Sequence, residues 1–232
     1  MLFKKKILAI VLARGGSKGI KLKNLKKIKG KSLVKITGLF CKKLKFLDEA
    51  IISSDNKKII QEGLKSGLKA PFLRPKELSG DLISDEKVLI DVLKKTENYN
   101  NTKYDIVLSL PPTSPFREKK DVIQAIKLLI YKNFDSVWTV KLNDTKNHPL
   151  KQLVLKNNRL KFYDKKGKKI FARQQLSSVY FRDGSVYVIR RDVLLKKRKL
   201  ITEKTGAVIT KNFKVSIDDY LDLKIANFLY KN

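Results

Sequence analysis

The chain is short of the residues that staple small proteins or carry them into membranes. It has one cysteine, Cys41, among 232 residues, which excludes an intramolecular disulfide and a cysteine-only metal cluster and makes a reducing cytoplasm the expected setting. Its single histidine, His148, shows no carboxylate partner that would orient it as a general base. No apolar run approaches the roughly 20 residues of a membrane-spanning helix, and no repeat, low-complexity tract or Pro/Gly/Ser-rich linker breaks the sequence. The length suits one sizeable domain spanning 1–232.

Acidic residues are scarce as well. Only 22 Asp and Glu face 53 Lys and Arg, for a net charge of +31, a balance that invites a nucleic-acid partner. The cations are 44 Lys and 9 Arg, spread from end to end. Readers of nucleic acid favour Arg for bidentate and stacking contacts, so a dedicated nucleic-acid function is disfavoured. The opening Lys4-Lys5-Lys6 and the apolar Ile7 to Ala13 imitate a secretory signal. The apolar part is at the short limit of such segments, and Arg14 stands where a small cleavage residue belongs, so the segment is expected to be the first strand.

What is present begins with that strand. Ile7-Leu8-Ala9-Ile10-Val11-Leu12-Ala13 is a continuous apolar run of strand length, as in an inner strand covered on both faces. It leads into Arg14-Gly15-Gly16-Ser17-Lys18-Gly19-Ile20-Lys21-Leu22-Lys23-Asn24. Glycines let backbone N–H groups turn toward a ligand, and with Arg and Lys heads they form a site for a polyanion. The order fits neither the Walker A loop nor the dinucleotide fingerprint. Taken alone, the stretch is either a phosphate-handling loop or a glycine-containing surface turn.

The same residues resemble the amino-terminal motif of the acylneuraminate cytidylyltransferases, the CMP-sialic acid synthetases and relatives that act on other acidic keto-sugars. Further segments follow in the family's order: Leu73-Arg74-Pro75 with Glu77-Leu78, Pro112-Thr113-Ser114-Pro115-Phe116-Arg117, Arg173-Gln174-Gln175-Leu176 leading to Asp183-Gly184-Ser185-Val186-Tyr187, and Ser216-Ile217-Asp218. The resemblance thus covers nearly the whole chain. It implies an α/β, Rossmann-like, mainly parallel sheet flanked by helices, with a dimerisation insert at about 142–186. In such a sheet, ligands gather beyond the carboxyl ends of the strands, which places the Pro-Thr-Ser-Pro turn beside the Arg14 loop.

Periodicity supports alternating strands and helices. Helices are expected from Ser32 to about Leu47, after Asn56 to about Ser66, from Asp85, from Lys119 to Lys132, and at the end of the chain, where Leu221, Ile225 and Phe228 would pack inward. Strands are expected at 49–53 and 105–110.

From the family, Arg14, Lys18, Lys23 and Asp218 are the expected catalytic groups. Ala13, Arg14, Gly15, Asn24, Arg74 and Ser84, with its neighbour Asp85, are expected at the nucleotide, and Arg173, Gln174 and Tyr187 at the sugar. A Mg²⁺ ion held by Asp218 would complete the site. Two departures stand out. Relatives usually carry Gln immediately before Pro-Thr-Ser-Pro, where this chain has Pro111, and Asp-Ile-Asp on a strand, where this chain has Ser216-Ile217-Asp218. The implied reaction joins an acidic 2-keto sugar to CTP in a homodimer, giving a CMP-sugar and pyrophosphate. The rivals are a nucleotidyltransferase for another sugar such as Kdo and a non-catalytic polyanion binder.

Overall fold

The computed structural model describes residues 4–212 and 214–230. Its elements in chain order are β1 (Ile7–Leu12), β2 (Lys27–Ile28), β3 (Lys31–Ser32), α1 (Leu33–Lys43), β4 (Glu49–Ser53), α2 (Lys57–Lys65), α3 (Asp85–Asn100), β5 (Ile106–Ser109), α4 (Lys119–Tyr131) and β6 (Ser136–Leu142). There follow β7 (Leu153–Lys156), β8 (Arg159–Phe162), β9 (Tyr180–Arg190), α5 (Arg191–Lys197), β10 (Thr205–Ile209) and α6 (Tyr220–Leu229). The main sheet has six strands in the order β10-β6-β9-β5-β1-β4. All run parallel except β9, which is antiparallel to both β5 and β6.

β1 lies between β4 and β5 with Ile7, Leu8, Ala9, Ile10 and Val11 completely buried, as its unbroken apolar sequence requires. Alternate residues serve the two faces of the sheet. Ile7, Ala9 and Val11 join Val34 of α1, Ile59 of α2 and Val122, Ile126 and Leu129 of α4 in one core. Leu8 and Ile10 join Leu89 and Leu93 of α3 and Leu194 of α5 in another. Each fully buried aliphatic side chain contributes about 1.5–3 kcal/mol of transfer free energy, so β1 is fixed from both sides. A third, smaller cluster contains Ile20, Ile28, Leu33, Ile36, Val215, Ile217 and Ala226.

Local chemistry sets the helix starts. The Ser32 hydroxyl accepts the Lys35 N–H and caps α1, and Asn56 accepts the N–H groups of Lys58 and Ile59 to cap α2; each supplies an acceptor for donors that have no partner inside the helix. Asp219 and Asp222 form a reciprocal capping box at the start of α6.

Three expectations need correction. α1 ends at Lys43, short of Leu47. The 216–218 segment belongs to no strand; it is tied to the cleft by Ile217 N–H donating to Thr113 O at 2.8 Å, while Val215 and Ile217 are buried and Ser216 and Asp218 exposed. The inward face of α6 is carried by Ala226 and Leu223; Leu221, Ile225 and Phe228 are exposed, Phe228 by 86%. Their three- and four-residue spacing is helical, but periodicity alone does not say which stripe meets the core.

The region from 143 to 179 holds the two-stranded β7–β8 ribbon and short 3₁₀ turns, and from Tyr180 the chain rejoins the main sheet as β9, its longest strand. His148 is buried, with Nδ1 accepting from Leu150 N–H at 3.1 Å and Nε2 lying 3.2 Å from Ser177 O. These contacts hold the two ends of the region together. No helix among the described residues is long and apolar enough to cross a membrane.

Gly38 lets α1 approach α2: a β-carbon there would collide with Ser66 Oγ and lie 2.6 Å from Ser66 Cβ. Ser66 is buried and its hydroxyl donates to Gly63 O at 2.7 Å. Gly38→Ala should therefore destabilise the protein by ~1–3 kcal/mol through overpacking, read as a lower denaturation midpoint. An unchanged midpoint would show that the helices separate freely.

Candidate nucleotide-binding cleft

Beyond the carboxyl ends of β1 and β5 lies a cleft of about 460 Å³. Its walls include Leu12, Arg14, Ser17, Lys18, Gly19, Lys23 and Asn24 from the first strand and its loop, Asp81, Leu82 and Asp85 from the opposite loop, Pro111, Pro112 and Thr113 after β5, and Asp218. The glycine loop and the proline turn therefore face the same space.

Several contacts hold the loop in place. Ala13 N–H donates to Ser53 O at 2.9 Å, continuing the β1–β4 pairing beyond the strand. Gly15 N–H donates to Asp55 Oδ1 at 2.7 Å, and Asn24 Nδ2 donates to Arg14 O at 2.9 Å. Gly19 passes so near the other wall that a β-carbon would lie 2.5 Å from Asp218 O, so only glycine fits without moving that backbone.

Charge is arranged around this framework. Lys23 Nζ lies 3.0 Å from Asp218 Oδ1, with the lysine side chain 17% exposed and the aspartate 75% exposed. Arg14 Nη1 lies 2.8 Å from Asp81 Oδ1, and Lys18 Nζ lies 3.3 Å from Asp81 Oδ2. Ion pairs this open to solvent are worth only about 0–1 kcal/mol each, weak enough for an entering polyanion to displace. Crowding by the surrounding protein, and then Glu86, pushes the Asp85 carboxyl above its usual value, while Arg74, Arg182 and Arg14 pull the other way.

The cleft thus brings together Arg14, Lys18, Lys23, Asn24 and Asp218. Ala13 and Gly15 lie behind it, engaged through their backbones. Arg74 is buried and is not part of the wall; its Nε donates to Ser53 Oγ at 3.0 Å and its Nη2 to Ser53 O at 2.6 Å. Burial lowers the pKa of its guanidinium, with Asp55 and Asp85 opposing. Ser84 is the exposed N-cap residue of α3, its side chain making no capping bond.

The residues expected at the sugar lie elsewhere. Arg173 and Gln174 sit on an exposed 3₁₀ turn and do not line the cleft. Tyr187 is buried on β9, edge-on to Trp138 at 4.7 Å between ring centroids. Burial raises its pKa, Arg182 acting against this. Sequence reasoning missed Asp55 and Asp81, which contact the loop only through the fold. Asp55 was visible only as part of a helix-start turn, and Asp81 only as one polar residue in a polar loop.

No group of three or more His, Cys, Asp and Glu side chains able to hold a metal occurs among the described residues. Asp218 offers one exposed carboxylate on the opposite wall from the loop, paired there with Lys23. That donor set fits Mg²⁺ arriving with a nucleotide, since this ion commonly takes one or two protein carboxylates and completes its shell with phosphate oxygens and water.

The family model described as cytidylyltransferase matches residues 8–232. Over 229 residues the chain is 30% identical to pseudaminic acid cytidylyltransferase of Campylobacter jejuni, covering 97% of each chain. It is 28% identical to post-translational flagellin modification protein B of Campylobacter coli over 226 residues, 97% of this chain and 95% of that one. Among solved structures, CMP:2-keto-3-deoxy-manno-octonic acid synthetase complexed with CTP superposes with a TM-score of 0.69 at 18% identity, covering 97% of this chain and 98% of the other. With the family model spanning nearly its full length and a strand-borne glycine and cation loop at its open cleft, this chain belongs to the cytidylyltransferase family.

Proposed function

We propose that the protein activates a nonulosonic acid, an acidic nine-carbon 2-keto sugar, with CTP, and that the anomeric hydroxyl attacks the α-phosphorus to give a CMP-sugar and pyrophosphate. The observation that carries this is the convergence of Arg14, Lys18 and Lys23 on one side of the cleft with Asp218 on the other. Negative charge accumulates on the leaving pyrophosphate, so fixed cations answer the demand of this reaction better than a nucleophilic side chain. In this reading Arg14 and Lys18 take the triphosphate, and Lys23 sits between phosphate and Asp218. Asn24, bonded to Arg14 O, orients the loop toward the nucleoside. Arg74 braces the end of β4 beneath the base, and Ser84 with Asp85 borders it.

Asp218 would hold Mg²⁺, with Ser216 replacing a second carboxylate. Bound there, the ion would neutralise phosphate charge and acidify the attacking hydroxyl. The likeness to pseudaminic acid cytidylyltransferase favours pseudaminic acid over sialic or legionaminic acid, and Pro111 removes the side-chain amide that relatives present at that position. We place the reaction in the cytoplasm.

The protein is further proposed to act as a homodimer. Leu155 and Leu160 are exposed on the β7–β8 ribbon, Phe171 after it, and Tyr180 and Phe181 at the start of β9, and grouped exposed apolar side chains mark interaction surfaces. A partner seated there would bring Arg173 and Gln174 toward the other subunit's sugar, where an arginine fork suits a carboxylate. Tyr187 would back that site from the sheet.

Mass spectrometry after incubation with CTP, Mg²⁺ and pseudaminic, legionaminic, sialic or Kdo sugars should show a CMP-sugar with the first most abundant; no product from any of them would reject the reading. Arg14→Ala should lower turnover by about 10²–10³-fold, the scale for losing one fixed donor to developing charge, with the fold intact by circular dichroism. Asp218→Asn should shift the Mg²⁺ titration of pyrophosphate release to higher concentration; an unmoved curve would place the metal elsewhere. Leu155→Asp with Phe171→Asp should sediment as a monomer, and a native chain that already sediments as a monomer would remove the dimer.

A further inference from the structure

The nucleotidyl-transfer reading explains the cations of the cleft but leaves one carboxylate without a task. Asp55 fixes Gly15, Asp218 meets Lys23, and Asp219 and Asp222 cap α6. Asp81 does nothing of this kind. Each of its oxygens meets one cation of the glycine loop, Oδ1 with Arg14 Nη1 at 2.8 Å and Oδ2 with Lys18 Nζ at 3.3 Å. Gly80 O adds a further acceptor for Arg14 Nη1 at 3.0 Å. Two oxygens on one centre, one to each cation, imitate a bound phosphate group. The loop is anchored on both sides of Asp81 by Leu78 and Ile83, which pack against the core, while Leu82 beside it is 98% exposed.

We propose that Asp81 is an internal counter-anion of the nucleotide site, occupying Arg14 and Lys18 when the cleft is empty, yielding to the phosphates of CTP, and returning to those cations as pyrophosphate departs. The inference rests on the nucleotidyl-transfer reading for its substrate and on the two ion pairs for its physics. A ligand that needs both cations must first displace the carboxylate. The cost is then the same for CTP and for pyrophosphate, while a ligand too weakly charged to displace Asp81 never meets it in full. Asp81 thereby lowers affinity for the substrate and, by the same factor, for the product that has to leave. Without this competitor a cleft of fixed cations would retain pyrophosphate.

Calorimetric titration of CTP, CMP and pyrophosphate into wild type and Asp81→Asn tests this. The variant should bind CTP and pyrophosphate more tightly by a common factor of about 3- to 10-fold, the scale of two partly exposed ion pairs, and CMP by no more than that factor. Pyrophosphate should become a correspondingly stronger product inhibitor, with KM for CTP falling. Glu77→Gln removes a carboxylate from the same loop that meets neither cation, and should leave all three affinities unchanged. Asp81→Ser should reproduce the asparagine variant should the latter melt at a lower temperature. Unchanged or weaker binding of CTP and pyrophosphate in both Asp81 variants, or equal tightening in Glu77→Gln, would overturn the proposal. If wild type binds pyrophosphate but not CTP, the cytidylyltransferase reading fails, while the shift in pyrophosphate affinity still decides the role of Asp81.

Discussion

The cleft depends on a small apolar cluster outside the main sheet. Ile20, in the middle of the cationic loop, and Ile217, immediately before Asp218, are both fully buried in it with Ile28, Leu33 and Val215. The loop carries Arg14, Lys18, Lys21 and Lys23 within ten residues, and like charges at that density repel. Transfer of the two isoleucines from water offsets this at about 1.5–3 kcal/mol each. Because one isoleucine adjoins the loop's third glycine and the other adjoins Asp218, burying them also brings the two walls together. The tight passage of Gly19 by Asp218 O and the Lys23–Asp218 pair are consequences of this placement.

A buried polar network continues the same support. Lys214, its side chain 5% exposed, lies 2.5 Å from Asp121 Oδ2 and 3.6 Å from Asp183 Oδ2. Thr210 Oγ1 donates to Asp183 Oδ2 at 2.7 Å, and Ser185 N–H to Asp183 Oδ1 at 2.9 Å. Burial pushes the Asp183 carboxyl up, but its hydrogen bonds and Lys214 outweigh burial and hold it below its usual value. Removing charge from water is costly, and such a group persists when paired and fully hydrogen-bonded. The network joins the start of α4, strand β9 and the segment leading to Asp218. Gly184 sits beside it at φ +69°, with Ser114 Oγ where a side chain would go.

Sequence revealed those parts whose forces are local. The apolar run of β1, the caps Ser32 and Asn56, and the prolines ending β5 each act within a few residues, and each is found where its pattern places it. The ordering of Arg14, Lys18, Lys23, Asn24 and Asp218 into one cleft was legible only because their motifs recur in order in the family. The sequence shows neither β6 nor β10, and the expected insert at about 142–186 overlaps the first part of β9. Gly184 breaks the alternation of β9, and pairing with strands 38 or more residues away settles its place. The face of α6 was misjudged because its one buried residue, Ala226, which meets the core with Leu223, is small and only weakly hydrophobic. Asp81 could not be read at all, since its two ion pairs span 67 and 63 positions of chain.

The separation of the two cleft walls in sequence sets the order in which the molecule becomes competent. A contact between distant positions must first meet the entropy of closing the intervening chain, so it forms late, whereas β1 pairs with β4 across 41 positions and with β5 across 99. Asp218 lies 195 positions after the lysine it meets, so a folding chain can hold its central strands in place while the glycine loop still faces open solvent. The folding polypeptide is therefore a basic anion trap before its cleft is complete.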